Sequence, residues 1–209
     1  MKKKRIAIIG AGELGCQINN IIKEIPQIIV VGFFDDLKTP VKTKGQIFIQ
    51  PLESIDSLYE QNEYDELIIG IGYKHFRLRQ NIFEKYKTKI PFARIIHPSS
   101  IVDKNATIAE GTVLYPGVIL DKGVIIEENV ILNLGCCIAH DTKIGAHSFL
   151  APRVTIAGFS KIGKRCFIGI NATCIDSVHI CDDVTIGAAS LVLCNIENPG
   201  VYYGHPIKQ

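Results

Sequence analysis

From residue 101 to residue 196 the chain divides into sixteen blocks of six with no insertion. The second place of each block reads Val102, Ile108, Leu114, Leu120, Ile126, Leu132, Ile138, Ile144, Leu150, Ile156, Ile162, Ile168, Cys174, Ile180, Ile186 and Val192, aliphatic in all but one. The sixth place stays small or β-branched, as at Ala106, Thr112, Val118, Val124, Val130, Cys136, Thr142, Ser148 and Val154. A period of six is neither the 3.6 of a helix nor the 2 of a hairpin sheet, but it suits one short strand and one turn per block, the signature of a parallel β-helix. Three blocks close one triangular coil, so about five coils are expected. Each coil would bury a ladder of similar side chains on the next, giving a core that no single repeat supplies.

The first 95 residues follow a different rhythm. The apolar run at 5–9 is followed at once by Gly10-Ala11-Gly12-Glu13-Leu14-Gly15, and a helical pattern is expected over 16–24. That is G-x-G-x-x-G between a strand and a helix, the setting in which the glycines cradle phosphate. A second strand is expected at 28–34, ending in Asp35 and Asp36 about twenty residues past the glycines, where an acid can accept hydrogen bonds from a ribose or a base edge. A third is expected at 66–71, running into Gly70-Ile71-Gly72-Tyr73-Lys74, with helix-like residues over 76–86. The α/β pattern stops near Pro91, which leaves one mononucleotide-binding half of a Rossmann-like fold instead of two. One half holds one nucleotide, with its phosphates on the glycine turn. The domain boundary is therefore placed at 95/96, with an α/β half domain over 1–95 and an all-β parallel β-helix over 96–209. The junction, IIHPSS at 95–100, puts His97 before a proline, in extended backbone that reads as a structural cap.

Composition narrows the class further. A net charge of +2 argues for neither nucleic acid nor membrane binding. The basic MKKKR start precedes too short an apolar run for a signal peptide or a membrane span, so a cytoplasmic protein is expected. Seven cysteines with no CxxC pair fit reduced thiols better than disulfides, and Cys136, Cys166 and Cys174 fall on small or inward places where they pack.

The GAGELG turn, the FFDD strand end, IGIG, HPSS, Leu132-Asn133, Ala139-His140-Asp141 and the terminal GHPIK together resemble the bacterial nucleotide-sugar acetyltransferases over essentially the whole chain. Nearest in look are those that N-acetylate nucleotide-linked 4-amino-4,6-dideoxy sugars, such as UDP-bacillosamine precursors, dTDP-viosamine and GDP-perosamine; sialic acid O-acetyltransferases are similar. The resemblance implies a left-handed β-helix, a homotrimer, acetyl-CoA as co-substrate, a nucleotide-sugar partner and a place in surface glycan biosynthesis.

Acyl transfer to an amine needs a base for the proton the amine loses, and imidazole suits that role near neutral pH. His140 holds the fourth place of its block, where the flanking blocks have Leu134 and Ala146, so it projects outward. Asp141 follows and would fix the ring tautomer as the third member of a triad does. The resemblance likewise implies His140 as general base with an acid next to it, often Glu, where this chain has the shorter Asp. It further implies the Gly158 backbone N–H as oxyanion donor, Ile170 and Ala188 along the acetyl-CoA groove, and Lys208 at a cofactor phosphate. Where the family often has a histidine near the thioester, two places after His147, this chain has Phe149. The nucleotide sugar is expected at Gly10, Gly12, Glu13, Leu14, Asp35, Asp36, Gly72 and Tyr73, with Asn133 orienting the sugar. His140, His147 and His179 lack the spacing of the zinc ligands in γ-class carbonic anhydrases, which also carry hexapeptides, so no metal is expected. Two readings stay open beside N-acetylation: a sugar O-acetyltransferase using the same residues, and a non-catalytic nucleotide-binding protein.

Overall fold

The structure, a computed structural model, describes residues 3–41 and 47–205. It divides into two compact units, Met1–Ile95 and Ile96–Gln209.

The first unit runs β1 (Lys4–Ile9), α1 (Glu13–Lys23), β2 (Ile28–Phe34), β3 (Phe48–Gln50), α2 (Ile55–Glu60), β4 (Glu66–Ile69) and α3 (Phe76–Tyr86). Its four strands form one parallel sheet in the order β3-β2-β1-β4. Ile9 is level with Phe34 on one side and Ile69 on the other, so the chain leaves all three strands at one edge. Gly10 N–H then donates to the Phe34 carbonyl and Gly70 N–H to that of Ile9, each at 2.8 Å. Ala7, Ile9, Phe34, Tyr64, Leu67, Phe83 and Phe92 are buried in its core, with the Tyr64 hydroxyl donating to the Ile55 carbonyl at 2.9 Å.

Three local expectations need correction. The first helix begins at Glu13, not residue 16, and takes Gly15 inside it. Glycine in a helix interior is unfavourable, but a Cβ at Gly15 would stand 2.0 Å from the Gly10 carbonyl oxygen, so close packing overrides propensity. The strand expected at 66–71 ends at Ile69, because the chain turns at Gly70. β3 and α2 went unpredicted: three and six residues are too short to display a period.

The second unit is a parallel β-helix whose two- and three-residue strands line up into faces of five, six and seven strands. Through the repeat, strands pair eighteen residues apart, as Cys137 with Thr155 and Lys143 with Lys161, while at the C-terminal end the spacing falls to sixteen, as Val184 with Gly200. The second-place side chains point inward; Leu114, Leu132 and Leu150 are adjacent rungs, each with no exposed surface. Burying each such side chain contributes roughly 1.5–3 kcal/mol.

The sixth places show why they are small and often polar. Thr142, Ser148 and Ser160 donate their hydroxyls to the carbonyls of Ala157, Gly163 and Ile175 at 2.8–3.1 Å, satisfying backbone groups inside the prism. Cys136 and Cys166 do the same with their thiols, to Ala151 and Cys181. Burial pushes the Cys136, Cys166 and Cys174 thiols up to about 12, so they stay protonated and serve packing. None of the seven cysteines, all of them described residues, is in a disulfide. At the junction His97 Nδ1 accepts from the Ser99 N–H at 3.0 Å, closing a local turn. Among the described residues no helix is long and apolar enough to cross a membrane.

Candidate functional site

The fifth place of most blocks has positive φ, which turns the chain from one face to the next. The turns at 139–142 and 157–160 both join the six-stranded face to the five-stranded face, so they stack on one edge of the prism. The stacking is direct, since Phe159 N–H donates to the His140 carbonyl at 3.1 Å.

On that edge His140 and Asp141 meet, with Nδ1 and Oδ2 3.1 Å apart. The shorter acid therefore reaches. Both side chains remain about half exposed, at 47% and 49%. A carboxylate on Nδ1 places the ring hydrogen there and leaves Nε2 as the acceptor. Asp141 is seated over Gly123, where an added Cβ would come within 2.6 Å of Oδ1. The imidazole lies against Gly158 just as closely: a Cβ there would stand 2.7 Å from Cε1 and 2.8 Å from Nε2. The Gly158 carbonyl accepts from the Ser177 N–H, while its own N–H has no acceptor among the described residues. On the ring's other contact, Phe159 packs edge-to-face with centroids 4.9 Å apart and planes at 85°.

The first unit has its own depression, a cleft of about 450 Å³ at the carboxyl edge of its sheet. Gly10, Gly12, Glu13, Leu14, Asp35, Gly72 and Tyr73 line it, which brings together seven of the eight residues expected there in this unit. Gly10 sits at φ +101°, and Gly12 and Gly72 have nothing within 4 Å of where a Cβ would be, so backbone is open to a ligand at both. Asp35 also acts within the fold, because its two carboxylate oxygens accept from the N–H groups of Ala11 and Leu37 at 2.7 and 2.8 Å. It thereby pins the glycine turn. Asp36 stands apart from the cleft-lining set, its carboxylate accepting from the Leu52 N–H at 2.8 Å.

Other expected residues fall elsewhere. Asn133, Ile170 and Ala188 lie in turns that join the seven-stranded face to the six-stranded face, a different edge from that of His140. There Ile170 and Ala188 occupy adjacent coils, tied by the Ala189 N–H on the Ile170 carbonyl at 2.8 Å, and Asn133 Oδ1 accepts from the Leu134 N–H at 2.7 Å. Phe149 is buried, 6% exposed, with its ring 6.0 Å from that of Phe167. Lys208 lies outside the described residues.

Known proteins match both halves. A family model described as the PglD N-terminal domain covers residues 5–86, and one described as the GMPPB C-terminal domain covers residues 96–197. Over almost its whole length the chain is thus similar to a solved nucleotide-sugar N-acetyltransferase, and its first unit to the PglD N-terminal domain. Among solved structures, PerB from Caulobacter crescentus in complex with CoA and GDP-perosamine is 27% identical, over 97% of this chain and 95% of that one, with a TM-score of 0.89. The acetyltransferase domain of PglB from Neisseria gonorrhoeae FA1090, in complex with acetyl coenzyme A, shares the fold with a TM-score of 0.89 at 24% identity, over 99% and 98% of the two chains. A UDP-3-O-acylglucosamine N-acyltransferase of Bordetella avium is 46% identical over 67 residues, 32% of this chain; the chain spans only 19% of that curated relative's length.

Two features of the site carry little or no signal in the sequence. Lys74 and His75 line the cleft beside Tyr73, and Phe159 joins His140. Phe159 carried one signal: a phenyl in the fifth place of a block, which most other blocks fill with Gly, Asn or Asp. Among the described residues no group of three or more His, Cys, Asp or Glu is placed to hold a metal ion.

Proposed function

We propose that the protein moves the acetyl group of acetyl-CoA to the 4-amino group of a nucleotide-linked 4-amino-4,6-dideoxy sugar, for surface glycan biosynthesis in the cytoplasm. The observation that carries this is one solvent-facing edge holding an imidazole tied to a carboxylate through Nδ1, directly over a glycine whose N–H has no acceptor among the described residues. Support for the substrates comes from the PerB complex with CoA and GDP-perosamine. Related structures are those of histidine-to-asparagine and histidine-to-alanine variants of the Caulobacter N-acetyltransferase with the same two ligands.

The chemistry follows from these groups. The glycine cleft of the first unit suits a nucleotide, and the group that His140 serves is the acceptor amine. As the nitrogen attacks the thioester carbonyl, Nε2 accepts the proton the amine loses. Asp141 holds the tautomer and steadies the imidazolium that forms. The Gly158 N–H donates to the tetrahedral oxyanion. Collapse of that intermediate breaks the C–S bond, and the imidazolium returns its proton to the departing thiolate. No covalent enzyme intermediate is needed.

The cofactor groove is proposed to form between copies in a homotrimer. His140 lies on one prism edge and Ile170 with Ala188 on another, so a neighbouring copy is the means of joining them. An uncharged outward row on the six-stranded face, Ile101, Ile119, Cys137, Thr155, Thr173 and Leu191, supports such packing.

The test is thiol release from acetyl-CoA with UDP-, dTDP- and GDP-linked 4-amino-4,6-dideoxy sugars, with free and CMP-linked sialic acid alongside. Turnover is expected with one of the amino sugars. Turnover on the hydroxyl acceptors alone would move the protein to O-acetylation, and silence throughout would favour a binding protein.

A further inference from the structure

We infer that Phe159 is a specificity-determining residue that reads the C6 methyl group of the acceptor sugar and so selects a 6-deoxy sugar over its 6-hydroxy counterpart. The inference rests on the proposed transfer to a 4-amino sugar and adds a residue and a selectivity to it.

The phenyl is 56% exposed although it touches the imidazole. It also occupies an unfavourable place, at φ +57°, and is the one Phe, Tyr or Trp among the described non-glycine residues with positive φ. Left-handed backbone is a region that bulky side chains rarely adopt and that Asn or Asp enters more readily. The turn imposes that backbone on most fifth places, so what sets Phe159 apart is an apolar ring facing solvent beside the base, a surface suited to an apolar group.

The acceptor supplies one. In a 4-amino-4,6-dideoxy sugar the amine and the methyl sit on C4 and C5, which are adjacent ring carbons. With the amine in hydrogen-bond reach of Nε2, about 2.6–3.2 Å, the methyl comes within a few ångströms of the imidazole. The phenyl centroid is 4.9 Å from that ring's centroid, so a sugar turned with its C5 side toward Phe159 brings the methyl into van der Waals contact with the exposed part of the ring. A methyl there loses water at no polar cost. A 6-hydroxyl would be desolvated against carbon, without a partner. A hydrophobic wall of this kind discriminates modestly against an added hydroxyl, up to about 100-fold.

The alternative covering group is the acetyl methyl, which is common to every acceptor and gives no such selectivity. The experiment compares kcat/KM for 4-amino-4,6-dideoxyglucose and 4-amino-4-deoxyglucose, each as the UDP, dTDP and GDP conjugate, in wild type, Phe159→Asn and Phe159→Leu. Asn suits the left-handed backbone, and Leu restores apolar surface without the ring. Wild type is expected to favour the 6-deoxy sugar by about 10- to 100-fold. Asn should remove most of that ratio and Leu retain most of it, with the pH profile of kcat unchanged in all three. Equal losses on both sugars in Phe159→Asn would overturn the inference, since the ring would then orient His140 or cover the acetyl group; a shifted pH profile with the ratio intact would do the same. Wild type that is silent with every sugar contradicts the proposed reaction itself, and the inference with it.

Discussion

His140→Ala is expected to lower kcat by about 10²- to 10⁴-fold, the range contributed by a positioned general base. The protein should stay folded, because the side chain is 47% exposed and lies outside the prism's core. Surface substitutions of that kind usually change stability by no more than about 0.5 kcal/mol. Affinity for acetyl-CoA and for the nucleotide should stay near wild type, since the base acts on the proton lost in the transition state. Steady-state kinetics with a thermal unfolding control checks this. Wild-type kcat in a folded His140→Ala protein would remove the imidazole from the mechanism.

Gly158→Ala is the second large effect, and its cause is steric. Gly158 does not have positive φ, so its backbone accepts alanine, but the new Cβ would stand 2.7 Å from Cε1 and 2.8 Å from Nε2 of His140. Real carbon atoms do not approach so closely, so the imidazole must swing away from its place over the turn. Loss of the aligned base and disturbance of the neighbouring N–H donor should together lower kcat by at least the roughly 10²- to 10³-fold seen when one oxyanion donor is removed. The double variant His140→Ala/Gly158→Ala gives the diagnostic. With the ring gone the clash is gone, and residues in contact do not lose activity additively. The double variant should therefore resemble His140→Ala alone. Multiplicative losses would mean that Gly158 acts independently of the base.

The prism was legible because its period is fixed by geometry: one strand and one turn per six residues leave the second place no choice but inward. The same arithmetic held a finer message. Residues eighteen apart share an edge, as the pairing of Cys137 with Thr155 shows, so His140 and Gly158 belong together while Ile170 and Ala188 form another set. The first unit was less open. Its glycine turn and the acid at the end of β2 were visible, but the partners of that acid were not. Asp35 bonds to Ala11 and Leu37 N–H groups that only the folded turn presents. The start of α1 was misplaced because intrinsic propensity argues against Gly15, and packing against Gly10 decides otherwise. Phe159 could be seen as odd in its block, yet its contact with His140 depends on two coils stacking.

Transfer of an acetyl group to nitrogen leaves its mark on the product. The wild-type protein would be incubated with acetyl-CoA and the nucleotide-linked amino sugar that supports thiol release, and the sugar product characterised by mass spectrometry and proton NMR. A mass gain of one acetyl group and an amide at the 4-nitrogen are expected. An unmodified amine with an ester on a ring hydroxyl, or thiol released by hydrolysis with the sugar unchanged, would contradict it.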